Sequence, residues 1–181
     1  MTDPVPLPSQ RQIDKAHATM MQDYIAAMVN VSGNFDLVGV EMPYSYYGNR
    51  GILDVVLKSK EPLRGRRQWL VAELKPELLD VGRAVRQVTK ARKYSFKDEE
   101  MKRLLGDEAY DLTHVLVMLA TEENLQRAMD YCHLLRNIHI MFFSSRPGQT
   151  KKIAGKYAIF RAIKKAQGVS VRPEPDLSYI G

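Results

Sequence analysis

The sequence predicts an α/β fold in which a central mixed sheet is flanked by helices. Three observations predict it. Five short apolar runs have the length of strands, while residues 10–30 and 79–93 repeat apolar side chains at helical spacing. The segments follow one another as α-β-β-β-α-β-α-β, so early strands meet through a turn and later ones through crossover helices. An early antiparallel pair followed by crossover-linked strands makes the sheet mixed.

The first helix runs from Gln10 to Asn30. Ile13, Ala16, His17, Met20, Met21, Tyr24, Ile25 and Met28 recur every three or four residues, and Ser32-Gly33-Asn34 supplies the stop. Phe35 to Met42 reads as a strand that is apolar on both faces until Glu41. The segment Tyr44 to Gly51 has turn chemistry, which makes Ile52 to Leu57 the antiparallel partner. A basic loop, Lys58 to Arg67, leads to a third strand, Gln68 to Lys75, which Pro76 ends.

A second helix spans about Leu79 to Lys93, with Val81, Ala84, Val85, Val88 and Ala91 as its apolar arc. A short helix over Phe96 to Leu105 closes at Gly106. Thr113 to Ala120 is apolar on both faces, as a buried parallel strand should be. A helix from Thr121 to about Arg136 and a strand from Ile138 to Phe143 complete the core. Residues 1–9 are expected to be a flexible lead, 10–145 the core domain, and 146–181 a basic extension, helical around Ile153 to Ala166 and then coil.

The length of 181 residues suits about one domain with a core of its own. Cys132 is the single cysteine, which excludes an internal disulfide and any cysteine-rich zinc site; its apolar neighbours make it a core filler. No apolar stretch approaches the ~18 residues of a membrane span, and the proline-rich start lacks an apolar signal core. A cytoplasmic protein with no membrane partner is expected.

Charge is distributed unevenly behind a net +6. Residues 131–173 contain no acid, yet hold Arg136, Arg146, Lys151, Lys152, Lys156, Arg161, Lys164, Lys165 and Arg172. Residues 81–97 are also free of acid and hold Arg83, Arg86, Lys90, Arg92, Lys93 and Lys97. In a third cluster, Lys58, Lys60, Arg64, Arg66 and Arg67 face only Glu61. Basic runs among aromatics fit a polyanionic partner, most commonly nucleic acid, and equally a merely solvated basic face.

The chemistry is concentrated in two strands that contain carboxylates where burial should forbid them. Asp54 interrupts Gly51-Ile-Leu-Asp-Val-Val-Leu57, and Glu73 interrupts Trp69-Leu-Val-Ala-Glu-Leu-Lys75. A buried carboxylate needs a cation or hydrogen-bond donors. Strand alternation sets Glu73 and Lys75 on one face, about 7 Å apart along the chain. With Asp54 on the neighbouring strand, two carboxylates and one amine would converge, a donor set that Mg²⁺ accepts when water and phosphate oxygens complete it. A salt bridge at a wet strand end is the alternative. Glu41 offers a third carboxylate, and Arg83, Gln87, Lys90 and Tyr94 form a polar helical stripe that either grips phosphates or faces solvent.

Together these residues resemble the PD-(D/E)xK nuclease superfamily, which has the restriction-endonuclease-like αβββαβ core. The resemblance covers residues 10–143. It rests on Gly51-Ile-Leu-Asp54-Val-Val, on Ala72-Glu73-Leu-Lys75 and on the following helix with Gln87. It implies metal binding by Asp54 and Glu73, assistance of the attacking water by Lys75, and a site-setting role for Gln87. Glu41 is the candidate for the upstream glutamate that many members add. The implied cofactor is Mg²⁺, with Mn²⁺ as a substitute. The implied partner is nucleic acid, DNA before RNA, held by Arg83, Lys90, Tyr94, Arg66, Arg67, Lys151 and Lys152; members of this fold often form homodimers. Leu53 stands where the motif name has proline. Tyr94 lies seven residues after Gln87, which departs from the Gln-x-x-x-Tyr spacing of some exonuclease branches.

Other residues carry less. Tyr44, Tyr46 and Tyr47 either stack on unpaired bases or pack the hairpin or a dimer surface. His17, His114, His133 and His139 share no ligand spacing and read as structural, and Trp69 reads as core. The expected function is metal-dependent hydrolysis of phosphodiesters, with endonuclease action favoured. The competing readings are a nucleic-acid-binding or assembly module of the same fold without turnover, and an interaction domain whose basic tail binds an acidic partner.

Overall fold

A computed structural model describes residues 7–144. Its elements are α1 (Gln10–Ile25), β1 (Phe35–Tyr46), β2 (Asn49–Ser59), β3 (Arg67–Lys75), α2 (Val81–Tyr94), α3 (Glu99–Leu105), β4 (Tyr110–Leu119), α4 (Glu122–Asp130) and β5 (His139–Phe143). The five strands form one sheet in the order β1-β2-β3-β4-β5. β1, β2 and β3 pair antiparallel, whereas β3, β4 and β5 pair parallel, so the sheet is mixed as the sequence predicts. The Pro-rich lead up to residue 6 and the basic extension with Lys151 and Lys152 lie outside the described residues.

Helix starts are fixed by side chains that take up otherwise unpaired amides. Ser9 and Gln12 form a reciprocal capping box at α1, while Asp80, Asp98 and Thr121 cap α2, α3 and α4. Past Ile25, α1 continues as a π-helical turn, Ala26–Val31. The α1 stripe Met20, Tyr24, Ala27 and Met28 covers one sheet face, against Val55, Leu57, Ala72, Leu74, Val115, Val117 and Phe143. On the other face, α2 crosses the strands. Val81, Ala84 and Val88 pack over β4 and β5, and Ala91 packs over β1 to β3 beside Tyr44, Leu53, Trp69 and Val71. Three layers result, and the middle of α2 passes above β3. Among the described residues no helix is long and apolar enough to cross a membrane.

Several boundaries depart from expectation: β4 begins at Tyr110, not Thr113, α3 begins at Glu99, not Phe96, and two others change more. The supposed turn over Tyr44 to Gly51 is mostly strand: only Tyr47 and Gly48 turn, at φ 47° and 80°, the left-handed pair that suits a two-residue hairpin. Gly51 is what lets Tyr44 lie across the hairpin, since a Cβ there would overlap the tyrosine ring. The helix expected to reach Arg136 stops at Asp130. From Tyr131 the backbone tightens into successive three-residue hydrogen-bonded turns that still seat Leu135 and Ile138 in the core.

The chain just beyond β3 is held by a buried side chain. Asn124 accepts a hydrogen bond from the Leu78 amide at 2.9 Å and donates to the Pro76 carbonyl at 2.8 Å and the Leu119 carbonyl at 2.9 Å. Arg127 donates to the Leu78 carbonyl at 2.9 Å. These bonds fix the strand end that carries Glu73 and Lys75.

Candidate active site

β2 and β3 part company at Asp54. Their paired residues run from Lys58↔Trp69 to Val55↔Ala72, where the ladder ends. The facing of β2 changes at the same point: Val55 and Leu57 pack beneath α1, whereas Leu53 packs with Val56 beneath α2 and α3. Strict alternation would put Leu53 with Val55, so Asp54 sits at a switch in the strand. Opposite it, between the pairs Val40↔Val55 and Met42↔Leu53, Glu41 adopts φ 46°. That conformation costs a non-glycine residue on the order of 1 kcal/mol.

Beyond the switch, the Asp54 side chain takes the place of the missing strand partner. Its Oδ2 accepts the Leu74 amide at 2.8 Å and lies 3.1 Å from Nε2 of His17 on α1. Glu73, next along β3, has Oε1 3.3 Å from Nζ of Lys75. All four side chains are mostly covered, with 13% of Asp54, 15% of Glu73, 27% of Lys75 and 28% of His17 exposed.

Burial of a carboxylate, with a second carboxylate nearby, sets the electrostatics of the site. Burial, and next the Asp54 carboxylate, push the Glu73 carboxyl up to about 7, against the pull of Lys75 and His17. The His17 imidazole is shifted upward, chiefly by its hydrogen bond to Asp54, which exceeds the opposing effect of burial. Tyr44 is raised by burial and then by the Glu73 charge.

The expected residues distribute as follows. Asp54, Glu73 and Lys75 come together. Gln87 lies where α2 passes over β3; its Oε1 is buried without a hydrogen-bond partner among the described residues. The adjacent Val88 lines a cavity of about 10 Å³ together with Glu73, Leu53, Val71, Ala91 and His114, room for about one water. Arg83 and Lys90 are exposed on α2, and Tyr94 is half-buried at its end. Glu41 is exposed and stands outside the set of charges that shift Glu73.

Arg66 and Arg67 are held elsewhere. They stand at the start of β3, six or more residues and roughly 20 Å from Glu73 and Lys75. Arg66 pairs with Asp111 at 2.7 Å. Arg67 pairs with Glu108 at 2.7 Å and also donates to the Ser59 and Lys60 carbonyls, so its guanidinium clamps the β2–β3 connection.

His17 is the residue that sequence reasoning passed over. A cue existed, because it precedes Met20 by three positions and Tyr24 by seven on the buried stripe of α1. His114 is buried: burial and then Arg92 push it down to about 4, keeping it neutral, and its ring meets Phe96 edge-on at 6.3 Å. Its Nε2, like Gln87 Oε1, has no hydrogen-bond partner among the described residues. Trp69 is core.

A metal ion can be tested against this donor set. Among the described residues no group of three or more His, Cys, Asp or Glu side chains is arranged to hold one. Two neighbouring carboxylates nevertheless suit a small hard dication that keeps several waters and takes phosphate oxygens, and such an ion would offset the burial and repulsion that raise Glu73. Comparison with protein-family models, with curated proteins and with solved structures finds no match.

Proposed function

We propose that the protein is a metal-dependent nuclease of restriction-endonuclease-like fold that hydrolyses phosphodiester bonds, in DNA before RNA and by internal cleavage. The observation that carries this reading is the convergence of Asp54 and Glu73 with the Lys75 amine where β2 leaves β3. A salt bridge alone would not need the second carboxylate, which adds to burial in pushing Glu73 upward. Asp54 and Glu73 would hold Mg²⁺, or Mn²⁺ in its place, which supplies Lewis-acid polarisation of a phosphate oxygen and acidifies water.

The chain's own groups do the rest. The Lys75 amine stands beside Glu73, where it stabilises the negative charge that develops on the phosphate. His17 holds Asp54 in one orientation, and the Leu74 amide fixes the same oxygen from the strand side. The open acceptor of Gln87 is available to a water or hydroxyl above β3. Arg83 and Lys90 project from α2 and can grip the nucleic-acid backbone.

The test is cleavage of plasmid and of single-stranded oligonucleotide. Mg²⁺-dependent cutting is expected, lost in EDTA and lowered at least tenfold in Lys75→Ala. Cutting by wild type and Lys75→Ala alike would contradict the reading. Salt-dependent DNA binding that ignores Mg²⁺ and never leads to cutting would instead identify a binding module of this fold.

A further inference from the structure

We propose that the tip of the β1–β2 hairpin and the end of α2 form a stacking platform for the unpaired bases of a single-stranded DNA segment. The proposal deepens the nuclease reading by naming the form of its substrate. It starts from a residue that folding does not explain: Tyr47 is 89% exposed at the hairpin turn. Its φ of 47° is a conformation that glycine, asparagine or aspartate would adopt with less strain.

Tyr47 does not stand alone. Its ring meets Tyr46 edge-on at 4.7 Å, and Tyr46 in turn stacks on Tyr94 with centroids 6.3 Å apart and planes at 28°. The Lys97 ammonium lies 5.6 Å from the Tyr46 centroid, and that of Lys93 lies 5.2 Å from the Tyr94 centroid. Three aromatic rings rimmed by two ammonium groups offer π-faces to bases and charge to phosphates, the combination that single-strand binding uses.

The platform is anchored. Asp98, which caps α3, also accepts the Ser45 amide at 2.8 Å, tying the hairpin to the turn after α2. It also points toward the acidic site. Tyr46 is two residues, roughly 7 Å, along β1 from Tyr44, which packs with Leu53, Val71 and Ala91, residues that line the cavity beside Glu73. The platform and the acidic site thus share one packing layer, with the buried Tyr44 between them.

The test is fluorescence polarisation in EDTA, so that no cutting occurs, using labelled oligothymidylate and a blunt duplex with the full chain. Tyr47→Asn suits the left-handed turn and removes the ring without straining it. It is expected to weaken oligothymidylate binding about tenfold and duplex binding less than twofold, while Tyr47→Phe binds as wild type. The proposal is overturned if oligothymidylate does not bind, if Tyr47→Asn leaves its affinity unchanged or weakens both ligands equally, or if the variant alters only the oligomeric state. Failure of the nuclease reading is separable: single-strand binding through Tyr47 without cutting in Mg²⁺ would sink that reading alone.

Discussion

Asp54→Asn is expected to lower Mg²⁺-dependent DNA cleavage by two or more orders of magnitude while leaving the fold intact. Besides contacting His17, Asp54 does two jobs that this substitution separates. As an acceptor it satisfies the Leu74 amide where β2 no longer can, and an asparagine carbonyl oxygen takes over that bond. As a charge it completes the pair with Glu73, and asparagine removes it. Asp54→Ala removes both, leaving a buried amide unpaired at a cost of about 1–3 kcal/mol. Activity should therefore be lost in both variants, but thermal stability should fall only in Asp54→Ala. Retained cleavage in Asp54→Asn would contradict a metal-binding role for this carboxylate.

Glu73→Gln is expected to remove a pH-dependent loss of stability. In the folded protein Glu73 holds its proton up to about 7, whereas an unperturbed glutamate releases it near 4.5. The folded state binds that proton more tightly than the unfolded chain. Stability is therefore greatest with Glu73 protonated and declines as pH rises from about 4.5 through 7. A displacement of this size corresponds to ~3 kcal/mol. Urea unfolding at pH 5 and pH 8 without metal measures it: the decrease between the two should be smaller in Glu73→Gln than in wild type by about that amount. His114, neutral in the folded state across this range, contributes alike in both proteins, and the His17 shift rests chiefly on Asp54, which both retain. Equal decreases would show that Glu73 is not held protonated by its buried site.

The strands that carry the site were legible because each breaks an apolar run with a carboxylate, and period-two alternation fixes Glu73 and Lys75 on one face. The approach of Asp54 to Glu73 was legible only as a possibility of neighbouring strands, since the switch in β2 depends on how Leu53 and Val55 share two packing layers. His17 was hidden by distance: it meets Asp54 across 37 residues, through the docking of α1 on the sheet. The pairing of Arg66 and Arg67 was hidden likewise, because Glu108 and Asp111 reach them only through the parallel register of β3 and β4, which begins with Arg67↔Tyr110. Tyr47 and Gly48 formed the whole turn because the flanking tyrosines fit strand geometry better than a broad loop.

The most direct measurement is calorimetric titration of Mn²⁺ into the wild-type protein, Asp54→Asn and Glu73→Gln at pH 7 in two buffers of different ionisation enthalpy. The carboxylates are held to form one binding site whose occupation drives the proton off Glu73. Wild type should then bind one ion with proton release visible as a buffer-dependent heat, and both variants should lose the binding. Undiminished binding in either variant, or no binding by wild type, would contradict it.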